Sequence, residues 1–263
     1  MRTYNFEKNY SQLLQPDINL LVSRMYEYKE EQTLFMDDKT ATLVEIAKVQ
    51  SVKASNKIEG IFTSDERLKK IVKGKIMPET WSEQEIAGYC DVLNLIHENY
   101  DYVPVKSSIF LQLHRDLYKV SSSKGGRYKT ADNVISEADS LGNKSVRFRP
   151  VPAWETAESV DNLCKAYNEV RQNNNRDPLI LISMFILDFL CIHPFHDGIG
   201  RMSRLLTLLL LYREGYMVGK YISIEKLIEE SKKLIIKHCM KVPGHGMRKK
   251  MIMYHLYVIY WGL

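Results

Sequence analysis

The chain has 263 residues, 45% of them hydrophobic, with four cysteines and a formal net charge of +5. That size supports a sizeable core in one large or two small domains, and Cys90, Cys164, Cys191 and Cys239 form no CxxC pair, which argues against a zinc site or a disulfide framework and for a reducing cytoplasm. Residues 231–263 hold seven Lys/Arg and no acid, whereas residues 1–230 hold 30 basic against 32 acidic residues, so the body offers no nucleic-acid surface. The polar start and the lack of any span-length apolar run argue against export or membrane insertion.

In chain order, Leu14, Ile18, Leu21 and Met25 recur at helical spacing, and a second helix is expected from about Lys39 to Ile61. Its end carries Ser55-Asn56-Lys57-Ile58-Glu59-Gly60, in which Gly60 is a C-cap candidate and Glu59 an acid at the helix end that disfavours negative charge. Capping boxes at Thr63/Glu66 and Ser82/Glu85 predict two further helices, the second running to about Asn99. A helix over about Ser107 to Tyr118 carries His114, which reads as structural. Gly125 to Pro152 is rich in turn residues, and the pieces Asn133-Val134-Ile135 and Val146-Arg147-Phe148-Arg149 around the turn-like Asp139–Asn143 predict a hairpin. A helix from about Glu155 to Arg171 and a polar loop to Arg176 follow.

Pro178 to Ile192 is almost wholly apolar and fits a helix buried on all sides, capped by Asp177 with proline at its first position and ended by Pro194. Met202 to Tyr212 fits a second buried helix. Between them lies His193-Pro194-Phe195-His196-Asp197-Gly198-Ile199-Gly200-Arg201-Met202-Ser203-Arg204. Gly198 and Gly200 sit where a loop becomes a helix N-terminus, whose free N–H groups and dipole favour an anion. Arg201 and Arg204, three residues apart, share a helix face and are expected to point at one polyphosphate. Asp197 is placed to hold Mg²⁺ against those phosphates and His193 to take a proton from an incoming hydroxyl.

This stretch resembles the Fic family motif His-Pro-Phe-x-Asp/Glu-Gly-Asn-Gly-Arg-x-x-Arg at eight of nine fixed positions, departing at Ile199, where the family has a phosphate-loop asparagine. The resemblance implies a mainly helical, all-α Fic fold with a small β-hairpin flap, and Mg²⁺-dependent transfer of AMP from ATP to a hydroxyl side chain of a target protein, chemistry in which positioning and charge neutralisation dominate. It implies His193 as general base, Asp197 as Mg²⁺ ligand, Gly198, Ile199 and Gly200 as the phosphate loop, and Arg201 and Arg204 as β/γ-phosphate ligands. Ser55 to Gly60 matches the family's inhibitory form Ser/Thr-x-x-x-Glu-Gly/Asn, which implies that Glu59 reaches Arg204 and keeps the γ-phosphate from its productive pose. The flap, about Asn133 to Arg149, is implied to dock the target as an added strand. Removal of AMP by the same site, with Glu59 orienting water, and a catalytically impaired binding protein are the alternatives; a homodimer is compatible with all three.

The expected organisation is an N-terminal helical region over residues 1–80, a core domain over 81–230 and a basic tail over 231–263. Read in another frame, the codons that encode the tail permit strings such as Tyr-Tyr-Lys-Ala-Leu-His-Glu near Leu234 to Lys241, which resemble Fic sequences, so a frame shift near residue 232 is expected. On that reading the tyrosine pair that Fic proteins place beside adenine is replaced by about Ile235 and Ile236, and this change and Ile199 both fall on nucleotide binding.

Overall fold

The computed structural model describes residues 40–138, 144–173 and 176–230, together with Ser23. The apolar repeat at Leu14 to Met25, the hairpin turn at 139–143 and the tail from 231 lie outside the described residues. Among the described residues the α-helices are α1 (Thr40–Ile58), α2 (Asp65–Val72), α3 (Trp81–Asn99), α4 (Ser107–Leu117), α5 (Thr156–Gln172), α6 (Pro178–Ile192) and α7 (Ile199–Arg213). Strands β1 (Ile135–Ala138) and β2 (Lys144–Phe148) lie between α4 and α5, and residues 224–230 are again helical. The mainly helical fold with one hairpin is the architecture expected from the sequence.

The ends of these elements follow local chemistry. The side chain of Asp177 accepts from the N–H groups of Leu179 and Ile180, with Pro178 opening α6. At the end of α1, Gly60 adopts φ +78°, its N–H bonds Lys57 O, and the N–H of Ile61 bonds Asn56 O, the paired bonds of a Schellman cap. Two caps differ from the sequence reading. Ser64, not Thr63, caps α2 by accepting from Arg67 N, and Thr80, not Ser82, caps α3 by accepting from Glu83 N. Thr63 instead donates to Glu83 Oε1 at 2.9 Å, and Glu66 pairs with Lys70 one turn on. Several Ser/Thr-x-x-Glu patterns overlap here, and three-dimensional partners decide among them.

α6 is buried along nearly its whole length and packs between α5 and α7, while α3 touches α1, α2, α4 and α7. Burial of a helix that is apolar but for Ser183 and Asp188 supplies the main driving force for this arrangement. Val52, Ile61, Leu68, Ile71 and Val72 join the same apolar cluster as α3 to α7, so the described part of residues 1–80 packs into the core formed by 81–230. The hairpin is antiparallel, with Ser136 opposite Val146, Ala138 opposite Lys144 and a bulge between Ile135 and Ser136. Its strands lie about two residues from the pieces read off the sequence, because pairing register rather than β propensity sets their limits.

Candidate active site

Two buried helices present the motif. α6 ends where His193 takes φ 51° and ψ 61°, and among the described residues it is the one non-glycine residue with positive φ. This left-handed turn, rather than Pro194 alone, stops α6, and it carries the half-buried His193 imidazole out of the helix axis. The ring makes no hydrogen bond among the described residues, and burial together with the nearby charge of Lys129 lowers its pKa, favouring the neutral, proton-accepting form. Phe195 is buried and anchors the loop, whereas His196 and Asp197 are exposed.

α7 begins at Ile199, three residues before the start read from the sequence, so Gly200 lies in its first turn and Gly198, at φ +77°, is its N-cap. Gly198 supplies no capping side chain, which leaves the first-turn N–H groups available to an anion. Asp197 Oδ1 accepts from Gly198 N at 2.7 Å and thereby fixes the carboxyl beside that turn.

The two motif arginines part company. The sequence reading sent both to one polyphosphate, but Arg201 is buried in the core, its Nη1 on Glu85 Oε2 at 2.5 Å and its Nη2 on the Tyr118 hydroxyl at 2.8 Å. Burial drives the Tyr118 phenol pKa far upward, so Tyr118 meets Arg201 as a neutral hydroxyl. Arg204 turns to α1 instead: its Nε donates to Ser55 Oγ at 2.8 Å, and its Nη2 donates to Ser55 O at 3.0 Å and to Glu59 Oε1 at 2.8 Å. A Cβ on Gly200 would overlap that same Glu59 oxygen, so the glycine is what admits the carboxylate to the start of α7. Ser55, Glu59 and Gly60 therefore meet the motif as a unit, Gly60 through the cap that ends α1 beside Glu59.

Three contributors were not recognised as such in the sequence. Glu85 resembled a capping residue, and its partner lies 116 residues away, beyond any periodic signal. His114 was read as structural, but its role is specific: Nδ1 accepts from Gly126 N at 3.0 Å, so Nε2 carries the proton and donates to Asp197 O at 3.2 Å. Its ring stacks on Phe195 at 3.8 Å between centroids, and burial pulls its pKa down to about 4, keeping it neutral. The third, Lys129, is buried beside the motif loop.

A family model described as Fic/DOC family matches residues 104–211, the stretch running from just before α4 to near the end of α7. The chain thus resembles the Fic/DOC family over α4 to α7. A Fido domain-containing protein of Dictyostelium discoideum is 30% identical over 86 residues, 33% of this chain and 58% of the relative, so the match spans a little over half of that protein. A Fic family protein from Desulfovibrio desulfuricans superposes with TM-score 0.76 at 20% identity, covering 95% of this chain and 73% of its own. A Fic domain containing signaling protein from Bacteroides thetaiotaomicron gives 0.73 at 20% identity, covering 92% and 91%, and Fic-1 from Caenorhabditis elegans gives 0.69 at 15%, covering 92% and 70%. At these identities the structural likeness speaks to the Fic fold.

Within the Fic motif of this chain, Ile199 is buried in the apolar cluster, where it contributes packing and no polar contact. The residues fit a Mg²⁺–nucleotide ligand in a specific sense. The described residues contain no group of three or more His, Cys, Asp or Glu able to hold a metal alone, whereas one exposed carboxylate beside an uncapped helix N-terminus suits Mg²⁺ that shares its coordination with phosphates. None of the described helices is long and apolar enough to cross a membrane.

Proposed function

We propose that this protein is an autoinhibited adenylyltransferase that moves AMP from ATP to a hydroxyl side chain of a target protein and of itself. The observation that carries this reading is the contact of Glu59 with Arg204 over the bare Cα of Gly200, which sets a carboxylate at the α7 N-terminus, where a terminal phosphate would otherwise bind. Release of Glu59 frees the Arg204 guanidinium for the nucleotide. In the reaction the hydroxyl oxygen bonds the α-phosphorus, the bond to the β-phosphate oxygen breaks, pyrophosphate leaves, and the hydroxyl proton passes to neutral His193. Asp197 is the residue that would hold Mg²⁺, which when bound neutralises phosphate charge. The hairpin at about Asn133 to Arg149 would align the target, and Arg201, bonded to Glu85 and Tyr118, supports the start of α7.

The test is intact-mass spectrometry of Glu59→Gly incubated with ATP and Mg²⁺, beside the same variant also carrying His193→Ala. The expected result is a mass gain of one AMP that disappears with His193. An equal gain in the double variant removes His193 from the role of base. The burial of Ile199 favours a second reading, an impaired protein that keeps the flap for docking. No mass gain in Glu59→Gly would select it.

A further inference from the structure

His193 holds a left-handed conformation that a residue with a side chain adopts only when its surroundings over-determine it. The carbonyls on either side of it share one partner. Lys129 Nζ donates to Ile192 O at 3.2 Å, and Lys129 N donates to Pro194 O at 2.9 Å. The ammonium also donates to Asn133 Oδ1 at 2.8 Å, just before β1. The Lys129 side chain is 3% exposed, and burying an ammonium on neutral oxygens is costly when a neutral donor could satisfy the same atoms. Its charge sits at the C-terminal end of α6, where a cation is favoured, and directly beside the turn that carries His193.

We propose that Lys129 is a positioning residue for His193: its ammonium and its backbone N–H clamp the carbonyls of the residues before and after the histidine, and its charge, held beside that turn, disfavours a second positive charge on the imidazole. The second half rests on the reading of His193 as a base. Burial lowers the Lys129 pKa and Asp132 on the same segment opposes that shift; along the chain, Asp188 and Cys191 on α6 and His196 and Asp197 on the motif loop are the titratable groups within five residues of His193. Besides burial, the influence acting on His193 is Lys129, and its sign favours the neutral ring. The segment leading into the hairpin thereby joins the flap to the base, so one residue ties target alignment to the group that deprotonates the target.

The experiment is an NMR titration of the His193 ring in full-length protein, assigned by comparison with His193→Gln, for the parent and for Lys129→Arg, Lys129→Gln and Lys129→Met. Loss of charge in Lys129→Gln and Lys129→Met is expected to raise the His193 midpoint by roughly 0.5 to 1 pH unit, the size of a Coulombic effect at a partly buried site. Lys129→Arg is expected to stay near the parent. Should Lys129→Met fail to fold, Lys129→Gln, which retains a donor, decides. An unmoved midpoint in Lys129→Gln overturns the proposal, as does an equal rise in Lys129→Arg. In the Glu59→Gly background, Lys129→Gln is expected to lower kcat roughly tenfold, leave KM for ATP within about twofold and move the acid limb of kcat to higher pH. An unchanged kcat and acid limb would also overturn it. The titration needs no substrate, so a shifted midpoint in a protein that transfers no AMP retires the transferase reading while the Lys129–His193 coupling stands.

Discussion

Arg201 and Arg204 stand one helical turn apart on α7, yet they belong to different kinds of environment. Around Arg201, α3, α4 and α7 close completely: its side chain and that of Glu85 are 1% and 0% exposed. Around Arg204, α1 lies against α7 through Ser55 and a Glu59 carboxylate that is 34% exposed. A pair sealed in the core cannot exchange partners without unfolding it, because each ion would be left buried and uncompensated. A partly exposed pair at the edge exchanges partners at small cost. The first arrangement builds the α7 N-terminus; the second, on the proposed function, would regulate access to it.

The sharpest way to break that contrast is Glu85→Ala. It strands the Arg201 charge and is expected to cost about 3–5 kcal/mol in urea unfolding; a loss below about 1 kcal/mol would show that the sealed region is not sealed. Acid titration comes next. His114 in the sealed region and His97, which meets the Tyr212 hydroxyl, both have pKa values lowered to about 4, chiefly by burial. The unfolded chain binds their protons below about pH 6.5 while the native state does not, so the stability they support is intact above that value and declines as pH falls toward 4, on the order of 3 kcal/mol for each. His114→Gln should flatten this decline, and an unchanged slope would remove His114 from it.

Ile199→Asn probes the boundary between the two regions. Placing an amide in a 6% exposed apolar site is expected to cost roughly 1–3 kcal/mol of stability. It is also expected to tighten ATP binding, measured by calorimetry, if the isoleucine is what weakens the phosphate loop; an unaltered affinity refutes that role. Glu59→Gly is expected to have the smallest effect on stability, under about 1 kcal/mol, because its ion pair is partly exposed, while raising self-modification about fivefold or more. Equal activity in the parent protein would leave the Glu59 contact without a regulatory function.

The sequence alone carried the order and type of the described elements, because α6 is apolar on every face, Asp177-Pro178 and Gly60 mark helix ends through strictly local bonds, and turn-rich residues bracket the hairpin. It also carried the motif, since His193, Asp197, Gly198 and Gly200 are contiguous, and it pointed to Glu59 through a charge at an unfavourable helix end. What only the tertiary structure decided was which groups those residues meet. The caps moved to Ser64 and Thr80 because Thr63 and Glu85 were needed elsewhere, the former on Glu83 and the latter on Arg201. The divergence of the two arginines, the bond from His114 to the Asp197 carbonyl and the clamp of Lys129 on both sides of His193 join segments 63 to 149 residues apart. Local periodicity reports which face of an element is buried; it does not report which buried polar group lies opposite, because that depends on how whole helices pack.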